Sequence, residues 1–556
     1  MAIVSSGSVL KYSSVTGFDG VIDTDASEIR SISVDGVSLA EIDVSNISSS
    51  VKSFIGGTKD SGTVSLSLYA PAYAANVLGA SGALNPATYA NGSEYRRFAI
   101  QLGPSTGSFR IEFYGYVTSL DVSAAVDGAV EASVTIRLTG SILPMPVGFY
   151  GSYQGIRFLR EFKDSGLDIA MIGDSNTGFN APTVGGYVWG LSYALDVVEP
   201  NTCYATPIYN LMIQGNSAGY KSSLSGTSLP SDGYTSGKVD GPAGITALFS
   251  RGTGSWSESG GASSSTYLDY PYLASGNQSN NSNRGMSILS DHPMGVSNQI
   301  RYRVVRGRFS GGGSHRYRFR RTDTFASLQT SSQISADGAT AVVADEYSLA
   351  AGSRAYGIEA VWSVQSADSS GFNTGPIAPL MQSMYTPTIG WAVDALYFFG
   401  GATLTAIKND IQAAPSASLQ TMLAEYHNRQ VAAGATGRLL VWIQGGVNES
   451  DYTSSPSTWI AQWSAIMDAI STAWSSAGLN SSKLHFMAMV THDVDGYDFA
   501  SRRSSLIGLA ASRSDLTVVN IPDVISFASY SSYADGAHLT KTGYETIGAA
   551  IINAVI

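Results

Sequence analysis

Apolar and polar residues alternate one for one along the first quarter of the chain. Gly62-Thr-Val-Ser-Leu-Ser-Leu-Tyr69, Ser108-Phe-Arg-Ile-Glu-Phe113 and Ala132-Ser-Val-Thr-Ile-Arg-Leu-Thr139 all carry a period of two. Such a period predicts half-buried strands, and turn residues such as Asp127-Gly128 separate them. Residues 1–145 are therefore expected to form an antiparallel β-sandwich or barrel. Leu143-Pro-Met-Pro-Val-Gly148 breaks the alternation, and 146–166 reads as a linker. From residue 167 the pattern changes to short, mostly apolar, strand-like runs: Leu167–Ile172, Arg438–Ile443, Leu484–Val490 and Leu516–Asn520. Helix-like stretches lie between them, near Val184–Val198, over Trp459–Trp474 and from Lys541 to Val555. Buried strands alternating with helices predict a parallel sheet covered on both faces, an α/β/α domain built from 167–225 and 400–556. The Gly/Ser-rich, strand-like block 226–399 is too long for a loop and is expected to be a β-rich domain inserted into it.

Composition narrows the setting. The 556 residues suit several domains, and only 13% are charged against 44% apolar and 60 glycines. A net charge of −11 argues against a basic nucleic-acid-binding surface. One cysteine, Cys203, leaves no disulfide framework and no Cys-based zinc site, and it is expected to be a packed thiol. No metal or cofactor is expected. Met1–Leu10 lacks the basic-then-apolar pattern of a secretory leader, and no run of 18 apolar residues exists. A disulfide-free, leaderless, Ser/Gly-rich chain fits a virion protein made in the host cytoplasm and released by lysis, with no insertion into a membrane.

Ester cleavage by a serine needs a base, a group that orients it, and donors for the oxyanion. In an open α/β sheet these gather at the carboxyl ends of strands. Ser175 follows a buried strand in Gly173-Asp-Ser175, and Gly215 ends the apolar Tyr209–Gln214 segment. Asn448 lies just past Leu439–Ile443 in Gly445-Gly-Val-Asn-Glu449, and Asp535-Gly-Ala-His538 stands before the last helix, with Thr540 and Thr542 as possible caps. Glu449 reaches either a neighbouring backbone N–H or the chemistry. Of the other histidines, His485 falls inside an apolar strand and is expected in the core. His492, with Asp493 and Asp495, is expected in a solvated loop at a strand end rather than on a metal.

The order Gly-Asp-Ser, Gly, Gly-x-Asn, Asp-x-x-His resembles the SGNH/GDSL hydrolases over residues 165–220 and 430–556. That resemblance implies a flavodoxin-like fold, Ser175 as nucleophile, His538 as base and acid, and Asp535 as its orienting partner. It also implies an oxyanion hole formed by the N–H groups of Ser175 and Gly215 and the side-chain amide of Asn448. Asn176 stands where the signature has Leu, and Glu449 where Asp is usual, which shifts the expected substrate towards carbohydrate esters. Residues 42–70, Phe113–Ser123, Val126–Gly128 and 132–140 resemble, more diffusely, the tail tube proteins of long-tailed phages. This second likeness implies stacked hexameric rings around a channel through which genome DNA passes without sequence-specific binding. Thirteen acidic against eight basic residues in 1–142 suit a lumen that repels DNA.

Arg301, Arg303, Arg306 and Arg308, then Arg316, Arg318, Arg320 and Arg321, flank Ser310-Gly-Gly-Gly-Ser314. A hairpin would set these guanidiniums opposite one another, where like charges repel. Their partner is either an acidic group of a neighbouring domain or subunit, or an acidic host polysaccharide held by bidentate contacts. The expected protein is thus a virion tail tube subunit carrying an outward-facing SGNH esterase that deacetylates host surface glycans. Two alternatives remain open: a stand-alone or tail-spike esterase whose N-terminal domain binds glycan, and a non-catalytic decoration that binds sugar.

Overall fold

The computed structural model describes residues 8–13, 22–35, 38–43, 54–60, 62–69, 82–89, 95–102, 109–124, 130–138, 143–177, 186–200, 202–205, 209–210, 239–240, 246–251, 256–257, 266–267, 270–271, 274–275, 285–290, 299–308, 310, 314–321, 326–339, 341–352, 358–363, 378–398, 401–413, 416–449, 456–493, 499–530, 533 and 538–556. Two compact units emerge, Met1–Gln154 with Ile507–Val518, and Gly155–Leu506 with Val519–Ile556.

In the smaller unit the period-two segments become β1 (Val9–Ser13), β2 (Ile22–Asp35), β3 (Ser38–Asp43), β4 (Phe54–Asp60), β5 (Thr63–Tyr69), β6 (Arg96–Leu102), β7 (Phe109–Ala124) and β8 (Val130–Leu138). Six of them run β6-β1-β2-β5-β8-β7, and β6 also pairs with β7, so the antiparallel sheet closes on itself as a barrel. Closure removes the free edges that an open sheet would expose. Alternate residues fill the interior: Val64, Leu66 and Leu68 from β5, and Ala132, Val134, Ile136 and Leu138 from β8. A buried ion pair, Arg97 with Glu112, sits in this unit, and Glu112 Oε1 also accepts the Tyr153 N–H at 3.0 Å. β3 and β4 form a separate two-stranded ribbon, paired only with each other among the described residues.

The larger unit opens with β9 (Leu167–Gly173), whose seven residues are all buried, and α1 (Tyr187–Val198). A β-sandwich follows, from β10 (Thr246–Arg251), β11 (Gly285–Ser290), β12 (Ile300–Arg308), β13 (Ser314–Arg321), β14 (Ala341–Leu349), β15 (Ile358–Ser363) and β16 (Ala378–Tyr385). The chain then returns to the first sheet through β17 (Trp391–Phe398), α2 (Leu404–Ala413), α3 (Ser416–Ala432), β18 (Leu439–Gly445), α4 (Pro456–Ser476), β19 (Leu484–Val490) and α5 (Lys541–Val555). β9 pairs in parallel with both β17 and β18, and β18 with β19, giving the order β19-β18-β9-β17. The first strand of this sheet thus lies between the second and the third. Chain direction switches between β9 and β18, where a doubly wound sheet opens its crevice at the carboxyl ends. β17 falls inside 226–399, the range expected for the insertion, yet its register with β9 makes it part of the parallel sheet. The stretch 146–166, expected as a linker, contains helical turns at Gln154–Arg160 and Phe162–Ser165 whose apolar side chains are buried.

The expected arginine hairpin does not form. β12 pairs with β14 and β16 in one sheet, whereas β13 pairs with β15 in the other, so the two arginine strands belong to different sheets. Between the sheets lie Tyr302 and Val304 from β12 and Tyr317 and Phe319 from β13, which turns Arg301, Arg303, Arg316, Arg318 and Arg320 to the opposite faces, whereas Arg306 is itself buried. Their charge is answered within the chain: Arg301 by Glu346 at 3.4 Å, Arg303 by Glu425 of α3 through two bonds of 2.6 and 3.0 Å, and Arg306 by Asp345. Arg308 Nε donates to the Ala339 carbonyl at 3.2 Å, and Arg316, Arg320 and Arg321 are engaged as well. Arg318 lies half-buried on β13 between β15 and Ser327–Thr330. Asp345 is the hub of this group. It also accepts the Tyr317 hydroxyl at 2.7 Å, and these donors hold its carboxyl well below the usual range against the cost of burial.

Candidate functional site

Ser175 sits in the turn that ends β9. Gly173 is required at the last strand position because a Cβ there would lie 2.0 Å from Thr177 Oγ1 and 2.7 Å from the Gln444 carbonyl of β18. The next residue, Asp174, is wholly buried and accepts the Asn176 N–H at 2.9 Å, a local bond that tightens the turn. Gln444 braces the same turn from the neighbouring strand. Its Nε2 donates to Asp174 Oδ2 at 3.3 Å, and its Oε1 accepts the Thr177 hydroxyl at 2.7 Å. The carbonyls of Asn176 and Thr177 accept the N–H groups of Tyr187 and Val188, two donors that the first turn of α1 cannot satisfy by itself. Asp174, Asn176 and Thr177 are all fully buried, and Ser175 is 7% exposed.

His538 approaches from the segment preceding α5, where Thr540 caps the helix by accepting the Gly543 N–H. Its Nε2 lies 2.8 Å from Ser175 Oγ. A neutral imidazole that accepts from the hydroxyl at Nε2 carries its proton on Nδ1. Asp535, the expected partner of Nδ1, and Gly215, an expected oxyanion donor, lie outside the described residues. Asn448 stands past the end of β18, and its Nδ2 donates to the Ala402 carbonyl at 3.0 Å, leaving one of its two amide hydrogens uncommitted by that bond. Ser175, His538 and Asn448 are thus placed on neighbouring elements at the carboxyl side of the parallel sheet.

Glu449 takes a structural partner, since Oε1 accepts the N–H of Leu404 at the start of α2 at 2.8 Å. Burial pushes its carboxyl up. Arg502 fixes the same loop by donating to the carbonyls of Gly446 and Glu449. His485 is buried in its strand, as expected for a core residue. His492 departs from expectation: it is fully buried instead of solvated. Its Nδ1 lies 2.9 Å from the Tyr187 hydroxyl, among the rings of Tyr530, Tyr533 and Tyr544. Cys203 is half-buried, and desolvation pushes its thiol up to about 12, far from nucleophilic use at neutral pH.

Asp174 carries a buried carboxyl into the site. Burial, with the Glu449 charge adding to it, pushes the carboxyl up to about 7 against the pull of its hydrogen-bond donors. An acid raised in the folded state gives stability that is complete below its unfolded value of 3.8 and is lost as pH rises to about 7. Asp174→Asn removes that dependence. The melting temperature of the variant relative to the parent should therefore climb between pH 5 and pH 8, and identical pH slopes for the two proteins would refute the assignment.

No family model matches the chain, and no curated protein does either. Among solved structures, the chain is similar to the tail protein of a gene transfer agent particle at 12% identity, with a TM-score of 0.18, over 25% of this chain and 94% of that one. It is similar to the tail tube of phage SPP1 at 13% identity and a TM-score of 0.17, over 26% of this chain and 78% of that one. The enzymatically active domain of tailspike protein 4 from bacteriophage CBA120 is similar at 12% identity and a TM-score of 0.18, over 29% of this chain and 21% of that one. Likenesses of this size fix neither the fold nor the chemistry.

Proposed function

We propose that this chain is a virion tail protein whose larger unit is a serine esterase of the SGNH type. The observation that supports the chemistry is the 2.8 Å contact between His538 Nε2 and Ser175 Oγ at the switch point of the parallel sheet. In this reading His538 takes the hydroxyl proton as Ser175 Oγ attacks the ester carbonyl, and the oxygen that gains charge is held by the Ser175 and Gly215 N–H groups and the Asn448 amide. His538 then returns the proton to the departing alcohol. Water, deprotonated by the same imidazole, attacks the acyl-serine and releases the acid and the free hydroxyl. Asp535 orients the ring. The substrate class is the O-acetyl group of a host surface glycan.

The barrel unit supplies assembly. A closed barrel with a separate β3–β4 ribbon suits a subunit that stacks as hexameric rings, because the ribbon, whose outer edges pair with no other strand among the described residues, can pair with a neighbouring copy. Genome DNA would pass through the acidic lumen, and each ring would display six esterase units, a multivalency that compensates for weak glycan contacts. Two measurements test the two halves separately. Turnover of p-nitrophenyl acetate, followed by release of acetate from an O-acetylated polysaccharide, tests the enzyme, and inertness towards both would remove it. Electron microscopy of the purified full chain at high concentration tests the tube, and a monomer at every concentration, with no rings in the virion, would remove that half alone.

A further inference from the structure

The wall behind Ser175 is built by α1 and α5, and these helices are unusually close. A Cβ on Gly190 would lie 2.2 Å from the Tyr544 carbonyl oxygen, and one on Gly548 would lie 2.2 Å from the Gly190 carbonyl oxygen. Trp189 of α1 donates from Nε1 to Glu545 at 2.8 Å, and Lys541 Nζ sits 3.9 Å above the Trp189 ring. Ser175 precedes α1 in the chain and His538 precedes α5, so this contact joins the helices that follow the two reactive groups. One side chain reaches from the helix contact into the serine turn itself. The Tyr544 hydroxyl donates to Asn176 Oδ1 at 2.5 Å, in a position with no exposure to solvent for either residue. The rest of that residue is equally confined. The Asn176 carbonyl accepts from Tyr187 N–H and its N–H donates to Asp174, while its Nδ2 is buried without a hydrogen-bond partner.

We infer that Tyr544 is a positioning residue, which through Asn176 fixes the Ser175 turn against the helix that follows His538. The inference rests on the esterase reading above and extends it to a residue that touches neither substrate nor the reacting atoms. A fully buried asparagine is costly to keep unless its polar groups are matched, and an apolar residue would pack the site without that cost. Asn176 therefore makes sense as the acceptor through which the tyrosine sets the angle of the turn. A reacting pair displaced by about 1 Å loses roughly 10²-fold in rate without losing its binding site.

Tyr544→Phe keeps the ring packed against Tyr187 and removes only the donor. The expected result with p-nitrophenyl acetate is a kcat about 10- to 100-fold lower at an almost unchanged KM. Labelling of Ser175 by a fluorophosphonate should slow in parallel. The double variant Asn176→Leu with Tyr544→Phe leaves no unmatched polar oxygen, so its melting temperature should return towards that of the parent while kcat stays low. If Tyr544→Phe fails to fold, the double variant gives the answer by itself. A kcat within about twofold of the parent in Tyr544→Phe, or its full recovery in the double variant, would overturn the inference and leave the hydroxyl a packing partner. Ser175→Ala, measured alongside, separates the two claims. Turnover lost there but kept in Tyr544→Phe removes this inference alone, whereas turnover kept in both removes the esterase reading.

Discussion

Ser175→Ala should remove ester turnover by a factor on the order of 10⁴ or more while leaving the fold unchanged. The hydroxyl is the one group of its turn aimed at His538 rather than into the brace formed by Asp174, Asn176, Thr177 and Gln444. The bonds that hold the turn therefore survive its removal, and thermal melting should shift little. His538→Ala should be as damaging. The double variant should be no worse than either single one, because the serine and the imidazole act as one unit, and what remains after losing either comes from binding and oxyanion donors. Additive losses would mean that the two residues work independently and that their 2.8 Å contact is not the reactive one. An unaltered rate in Ser175→Ala would move the chemistry elsewhere.

How much of this was legible in the sequence depends on how local the cause is. The apolar runs at Leu167–Gly173, Leu439–Gly445 and Leu484–Val490 announce strands buried on both faces, and all three are wholly buried. Thr540 announces a helix start that depends only on its own side chain and Gly543. The arginine strands show where such reading stops. Tyr302, Val304, Tyr317 and Phe319 alternate with arginines and point inwards, but alternation carries no information about which strand lies alongside. Arg303 finds its register opposite Glu346 and Ser383, not opposite the strand a few residues ahead. His492 was hidden for a related reason. Its flanking aspartates suggest solvent, whereas its burial comes from tyrosines at 187, 530, 533 and 544, far off in the chain. β17 lies at the end of a Gly/Ser-rich block, and only its parallel register with β9 assigns it to the sheet. At the site itself, Ser175 and His538 could be named from short motifs, but Gln444 and Tyr544 could not. Their roles exist only once β18 and α5 are brought against the turn.

Arg429→Met should cost about 3–5 kcal/mol of stability and leave the ester chemistry intact below the melting temperature. Asp168, the second residue of β9, is fully buried, and so is Arg429 of α3. The guanidinium grips the carboxylate with two bonds, Nε to Oδ2 at 3.0 Å and Nη2 to Oδ1 at 2.7 Å. Tyr204 donates its hydroxyl to the same carboxylate at 2.8 Å, and Arg429 lies over the rings of Tyr204 and Tyr426 at 5.6 and 5.0 Å. Tyr426 in turn donates to Asp394 of β17. A fork of this kind satisfies the carboxylate in a way that lysine could not, because only the planar guanidinium presents two parallel donors. Methionine fills much of the volume but strands Asp168 as a buried charge with one neutral donor. The large penalty belongs to that stranded charge and not to the pair as such. Asp168→Leu combined with Arg429→Met should therefore recover most of the lost stability, measured by denaturant unfolding. Ser175 lies on the order of 20 Å away along the strand direction, so kcat at low temperature should stay near the parental value in both variants. A double variant as unstable as Arg429→Met would show that the network contributes through packing of its aromatic rings, and a collapse of kcat at low temperature would show that the amino end of β9 sets the geometry of its carboxyl end.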